Sequence, residues 1–336
     1  MRHMMSFFKM KSALVIVLSM VVIGLCVPVS AQSSFKQTID TLVAELYGKG
    51  NISAVDSVFA PSFVRHPGET DLTAFKISVL SLRAAMPDLM VSTEVSLEEG
   101  NLVATRLRMK GTFTGEFVTP NALPIAPNNQ PIEFVVNVVY RFDEAGLIAE
   151  EWDAFDNLAF LGQLGVLPAS NTPIPAPMLY PDVVDIGMSA QNRTAVEQYV
   201  AAINQGNLDF MNQAFKDDLS AHNPFGVLDR TGLAGDLGRL RGALPNLTLT
   251  VEQIVTEGNW TAIYYTLNGT FSGNFVNADG SAIPPTGLTL NLPTITLFRF
   301  DQQGLIAEAF EMYDSLSFLT QLGLITVTAP ILTPSP

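Results

Sequence analysis

"EEWDAFDNLAFLGQLG", residues 150–165, sets four carboxylates and a tryptophan within seven positions and then turns into an apolar, helix-like run. A near copy, "EAFEMYDSLSFLTQLG", occupies 308–323. The pair decides the architecture, because self-similarity at a fixed spacing marks a repeated structural unit. Shifting the chain by 158 aligns Pro87–Leu167 with Pro245–Ile325 without a gap, and 30 of those 81 pairs are identical. Upstream the shift is 156: Gly50-Asn51 meets Gly206-Asn207, Phe59 meets Phe215 and His66 meets His222. Two extra residues therefore fall between His222 and Pro245. One domain is written twice.

Working outward, the expected copies span 32–167 and 191–326, joined by a proline-rich linker at 168–190 and followed by a tail at 327–336. Residues 1–31 have the layout of a secretory signal peptide: a basic start with Arg2, Lys9 and Lys11, an apolar run, and small residues before Gln32. The run is short for a full membrane span and Pro28 follows it, so cleavage is expected over retention as an anchor. The expected location is secreted or periplasmic. Cleavage removes Cys26, the sole cysteine, and leaves 15 basic against 32 acidic residues, a net charge of −17. So acidic a surface repels nucleic acid and anionic lipid, which excludes both as partners. About 300 residues suit two domains better than one core.

Within a copy the periodicity changes midway. "FKQTIDTLVAELYGKGN" places Phe35, Ile39, Leu42, Val43 and Leu46 at helical spacing, with Gly48 and Gly50 to end the helix. "DLTAFKISVLSLRAAMP" predicts a further helix stopped by Pro87. Beyond it the pattern alternates through "LMVSTEVSLEEG", "NLVATRLRMKGTFTG", "IEFVVNVVYRF" and "LIAEEWDAF", with hairpin turns at 99–101 and 144–146. Helices followed by long antiparallel strands predict an α+β fold, helices packed on one face of a curved sheet. Such a layer encloses a cone-shaped pocket, and the default occupant is a small molecule.

Alternation along "LIAEEWDAFD" puts Ile148, Glu150, Trp152, Ala154 and Asp156 on one face. The second copy offers Glu308, Phe310 and Asp314 at the matching positions, while Glu151 on the other face is traded for Ala309. The repeated acid–aromatic–acid face is therefore expected to form the pocket wall, with Glu150, Trp152, Glu308 and Phe310 contacting ligand. A carboxylate buried there has its pKa raised and can exchange protons near neutral pH. Asp156 carries a second reading, since it precedes "NLAFLGQLG" and can cap that helix. His66, in "FVRHPG", and His222, in "SAHNP", are the histidines left after cleavage, and their recurrence suggests a shared role on a loop. One histidine per copy among scattered acids does not supply the ligands of a metal site, and no cofactor-binding motif occurs.

Taken in order, His66-Pro67, "AAMPDL" (84–89), "GTFTGEF" (111–117), "YRFDEAGLIAEEWDAFD" (140–156) and "FLGQLG" (160–165) resemble the SnoaL-like polyketide (ester) cyclase domains of the NTF2-like superfamily. Copy two repeats them as "GALPNL", "GTFSGNF", "FRFDQQGLIAEAFEMYD" and "FLTQLG". The resemblance implies two tandem cone-shaped barrels, each with a hydrophobic pocket, and intramolecular aldol ring closure without metal or cofactor. It makes Asp156 and Asp314 the base candidates, with His66 and His222 assisting. Where the family's cyclases place a histidine before Arg-Phe, this chain has Tyr140 and Phe298. The tyrosine can donate to a developing oxyanion and the phenylalanine cannot. Two functions follow as expectations: an exported, cofactor-independent cyclase or isomerase, or a non-catalytic binder of a hydrophobic small molecule. The superfamily's habit of pairing sheets also implies an intramolecular pseudo-dimer or a homodimer.

Overall fold

The computed structural model describes residues 34–119, 123–167, 177–277 and 279–326. The leader read at 1–31, the first part of the linker and the tail lie outside these residues. Helix α1 (Phe35–Leu42) starts at Ser34, whose hydroxyl accepts the Gln37 N–H, and widens into a looser turn over Val43–Gly48. Its spacing buries Ile39, Leu42, Val43 and Leu46 together. After α2 (Val55–Val58) come β1 (Phe59–His66) and β2 (Thr70–Asp71), then α3 (Leu72–Ala85). Asp71 caps α3 by accepting the Ala74 N–H at 2.8 Å, and Pro87 follows its end. The strands β3 (Met90–Glu99), β4 (Leu102–Thr112), β5 (Pro131–Phe142) and β6 (Ile148–Ala154) form the meander, closed by α4 (Asn157–Gln163).

The second copy repeats the series as α5 (Ser189–Gln205), α6 (Met211–Ala214), β7 (Phe215–Asn223), β8 (Gly226–Leu228) and α7 (Arg230–Ala243). It continues with β9 (Thr248–Glu257), β10 (Trp260–Thr270), a short β11–β12 hairpin (Phe275–Val276, Ala282–Ile283), β13 (Thr289–Phe300), β14 (Ile306–Tyr313) and α8 (Ser315–Gln321). The two six-stranded sheets have the orders β2-β1-β6-β5-β4-β3 and β8-β7-β14-β13-β10-β9. The fold is α+β, but each sheet curves without closing, so the expected barrels are open.

One element departs from the sequence expectation. Residues 59–66 form a strand parallel to β6, not a connection between helices. Pro61 hides it, since proline cannot join a regular ladder; the register shifts between Phe59 and Val64, so Pro61 sits in that irregularity. His66 consequently ends a strand and does not ride on a loop. The repeated "GTFTG" and "GTFSG" have a steric origin. A Cβ on Gly115 would stand 1.9 Å from the Ala84 carbonyl oxygen, and one on Gly273 2.0 Å from that of Gly242.

Each sheet lays one face on its own helices and the other against the sheet of the second copy. The shared apolar layer holds Val95, Leu97, Val139, Trp152 and Ala154 from one sheet and Val255, Trp260, Ile295, Leu297 and Phe310 from the other. Its polar contacts are reciprocal, as a two-fold interface requires. Glu99 accepts the Thr256 N–H at 2.7 Å, and its counterpart Glu257 accepts the Glu98 N–H at 2.6 Å. On the axis sits Asn137, fully buried, whose side-chain amide donates to the carbonyls of Ile295 and Phe310 at 3.1 Å each. Its oxygen accepts from Arg106, a buried guanidinium paired with Glu94 at 2.9 Å and lying 5.2 Å from the Phe310 ring. Truncating Asn137 strands two carbonyls and one guanidinium donor without water. Asn137→Ala is therefore expected to lower stability by about 1–3 kcal/mol in urea denaturation; an unchanged midpoint would contradict this seam.

Candidate functional site

The pleat of β6 sorts its acids, and it sorts them opposite to the sequence expectation. Trp152 and Ala154 are held in the layer between the sheets. The same parity turns Glu151, Asp153 and Phe155 inward, where they line a cavity under the helices. The expected pocket face is thus the seam face, and each residue assigned to it has a structural partner. Glu150 accepts from Arg141 Nε at 2.6 Å, and Glu308 pairs with Arg299. Trp152 stacks on His66 with ring centroids 5.2 Å apart; Phe310 stacks on His222 at 4.7 Å. His66 Nε2 stands 3.9 Å from Glu150, beyond hydrogen-bond reach. Burial, and then the Arg106 charge, lower the His222 pKa.

Asp156 and Asp314 behave as caps and ties. Asp156 accepts the Leu158 N–H of α4 at 3.1 Å and the Ser315 hydroxyl of the other domain at 2.5 Å. Asp314 accepts the Leu316 N–H at 3.0 Å and the Asn157 amide at 3.0 Å. Residues 157 and 315 are counterparts, so this is again a reciprocal pair. Burial raises both carboxyls, against the pull of these hydrogen bonds. Asp156 lines neither domain's cavity, and Asp314 borders a recess between the domains. Among the residues singled out by sequence, Tyr140 does reach the first cavity.

That cavity has a volume of about 150 Å³ and an apolar wall including Phe75, Val79, Leu107 and Met109. Its polar end is built on Arg65, which β1 delivers from beside β6. Arg65 grips Asp153 through two hydrogen bonds, 3.1 and 2.7 Å, and lies 3.2 Å from Glu151. Burial disfavours the guanidinium charge, yet Asp153 and Glu151 hold its pKa above the ordinary arginine value. Burial is also the largest influence on Glu151, which it pushes up to about 8 with help from Asp153 and against Arg65. One oxygen of Glu151, Oε2, is buried with no hydrogen-bond partner among the described residues. Tyr140 pairs with Glu151 across β5 and β6, and Tyr47 lines the same end. Burial, then the Glu151 charge, raise both phenols, which keeps them protonated donors. The arrangement offers one base, one cation and two neutral donors in an apolar chamber.

A sequence model of the SnoaL-like polyketide cyclase family matches residues 37–164 and again 193–322. The chain belongs to this family. No curated protein sequence matches it. Among solved structures it is similar to IdmH, a candidate polyketide cyclase from Streptomyces antibioticus, at 26% identity over 40% of this chain and 99% of that one, TM-score 0.34. TsrD from Streptomyces laurentii is 20% identical over 40% of this chain and 98% of its own, TM-score 0.36. A SnoaL-like polyketide cyclase from Agrobacterium tumefaciens is 19% identical over 40% and 100%, TM-score 0.34.

The second SnoaL-like domain keeps the chamber and changes its chemistry. Its cavity measures about 330 Å³. Counterpart by counterpart, Arg65 becomes Ala221, Glu151 becomes Ala309, Tyr140 becomes Phe298 and Asp153 becomes Glu311. Glu311 accepts from the Tyr265 hydroxyl at 2.7 Å, and burial raises its pKa against that hydrogen bond. His222 borders a recess of about 20 Å³ beside Glu311. Among the described residues no cluster of His, Cys, Asp or Glu is placed to hold a metal, and no helix is long and apolar enough to cross a membrane.

Glu151 binds its proton more tightly folded than unfolded, so its contribution to stability is complete below the ordinary value of 4.5 and is lost as pH rises towards about 8. The expected outcome is that Glu151→Gln flattens the fall in unfolding free energy between those two pH values. A slope identical to that of the wild type would refute the buried, tightly protonated carboxyl.

Proposed function

We propose that the first SnoaL-like domain is a cofactor-independent carbon-acid catalyst, a cyclase or isomerase acting on an apolar carbonyl compound. The observation that carries this reading is the unpartnered Glu151 Oε2 facing an apolar chamber beside Arg65 and Tyr140. Ionised Glu151 takes a proton from carbon next to the substrate carbonyl. The C–H electron pair moves into the enolate, whose oxygen charge is met by the Tyr140 phenol and the Arg65 guanidinium. In ring closure the enolate carbon attacks a second carbonyl of the same molecule, and the alkoxide recovers the proton from Glu151. In isomerisation the proton returns to a different carbon. Asp153 is a positioning residue that fixes Arg65. A chamber of about 150 Å³ suits the reacting end of a substrate, roughly the room that holds benzene in an apolar core.

The second domain supports a non-catalytic, ligand-binding reading, because Ala309, Ala221 and Phe298 replace the base, the cation and the donor. We propose export as well, on the layout of residues 1–31; the mass of the mature protein should begin at Gln32. The catalytic reading predicts turnover on a panel of β-keto esters and anthraquinone-type precursors. Glu151→Gln should lower kcat by about 100-fold or more. Asp156→Asn should leave turnover near the wild-type value while loosening the α4 cap by about 1 kcal/mol. Equal activity in wild type and Glu151→Gln, or loss confined to Asp156→Asn, overturns the assignment.

A further inference from the structure

The second cavity differs from the first in two directions at once. It has lost its inner cation, since Ala221 stands where Arg65 stood, yet it keeps a carboxylate on its wall, the half-buried Glu311. Its rings are also placed differently, since Ile203 and Leu292 stand where Tyr47 and Phe134 line the first cavity. Tyr199 replaces Val43 and Tyr265 replaces Leu107, while Phe225 lies in the segment after His222 that is two residues longer in this copy. Phe225, Tyr313 and Phe318 form a mutually touching wall, with centroids 6.0–6.4 Å apart. The cavity is lined by these aromatics and aliphatic side chains around one inner acid. Asp236 and Arg239, also on the wall, are paired with each other and contribute no net charge.

Phe225 adds an observation of its own. Half of its surface, 51%, is exposed, although it is a large apolar ring lining a cavity. The turn that carries it is pinned, because the Asn223 side chain accepts the N–H groups of Phe225 and Gly226 at 2.9 and 3.1 Å. A ring held open to water over a chamber is a surface that a ligand would cover.

We infer that the second domain's cavity binds a lipophilic organic cation, an amine or quaternary ammonium carrying an apolar body. The geometry suits that class and disfavours others. An anion would meet Glu311 with no inner cation to offset it. A neutral apolar ligand would fill the volume and leave the carboxylate desolvated with the Tyr265 hydroxyl but no counter-charge, which is costly. A cation pairs with Glu311, whose remaining lone pairs are not taken by Tyr265, and lays its positive charge on the faces of the surrounding rings. The net charge of −14 on the chain steers cations towards the protein in addition. This inference is independent of the catalytic reading of the first domain.

The test is calorimetric titration of the full chain with benzyltrimethylammonium and with neopentylbenzene, its neutral isostere in which carbon replaces nitrogen. The cation should bind at least about tenfold more tightly, a margin within the range of ring–cation and buried charge-pair energies. Glu311→Gln should remove that preference. Phe225→Ala, a change at the exposed mouth that leaves the core intact, should weaken the cation and confirm the site even if Glu311→Gln folds poorly. Equal affinity for the two probes, no binding of the cation, or cation binding that ignores both Glu311→Gln and Phe225→Ala would overturn the inference.

Discussion

The structure depends on the two-residue period of β6 and its counterpart β14. Each strand is buried on both faces, one against its own helices and one against the other domain's sheet. Strand geometry sends neighbouring side chains to opposite faces, so a carboxylate's fate is decided by parity. Trp152 and Phe310 settle the parity, since rings of that size fit the layer between the sheets. Glu151, Asp153 and Glu311 are then carried into the cavities with no further choice. A single-residue slip would put the tryptophan in the chamber and two acids in an apolar seam.

This explains what could be read in the sequence. The duplication, the α+β class, the four long strands of each meander and the helix starts at Asp71 and Asp156 follow from periodicity and capping chemistry. β1 escaped because Pro61 occupies its irregular stretch and because its long partner, β6, runs parallel to it from far along the chain. The direction of β6 escaped for a different reason. Repetition in both copies points, on sequence alone, to the pockets. What repeats instead are acids of the seam: Asp156 and Asp314 make reciprocal contacts, although their donors differ, Ser315 in one direction and Asn157 in the other. The chambers face no such constraint and have drifted apart, as Arg65 to Ala221 and Glu151 to Ala309 show. The usable signal was a pair of acids flanking a tryptophan on a strand, with the tryptophan as the residue that must be buried against another sheet.

The seam also accounts for acids that do no chemistry in this account. Glu150, Glu308, Asp156 and Asp314 each have a cation, a helix N–H or a hydroxyl to satisfy them. Asp156 also keeps one buried oxygen, Oδ2, without a partner among the described residues; Glu151 differs because its unpartnered oxygen belongs to a side chain that lines the first cavity beside Arg65. Under the proposed reading, stability is traded for reactivity at that one position. The second domain, with Ala221, Ala309 and Phe298 in place of Arg65, Glu151 and Tyr140, retains an acid among rings and keeps the pairing surface against which the first domain packs.

The most direct test is a crystal structure of the full chain with a cyclic β-keto ester bound. The account predicts the ligand in the first domain's chamber, its acidic carbon facing Glu151 Oε2 and its carbonyl oxygen towards Tyr140 and Arg65, with Asp156 still on Ser315. A ligand seated against Asp156 or Asp314, with Glu151 turned into the seam, would contradict it.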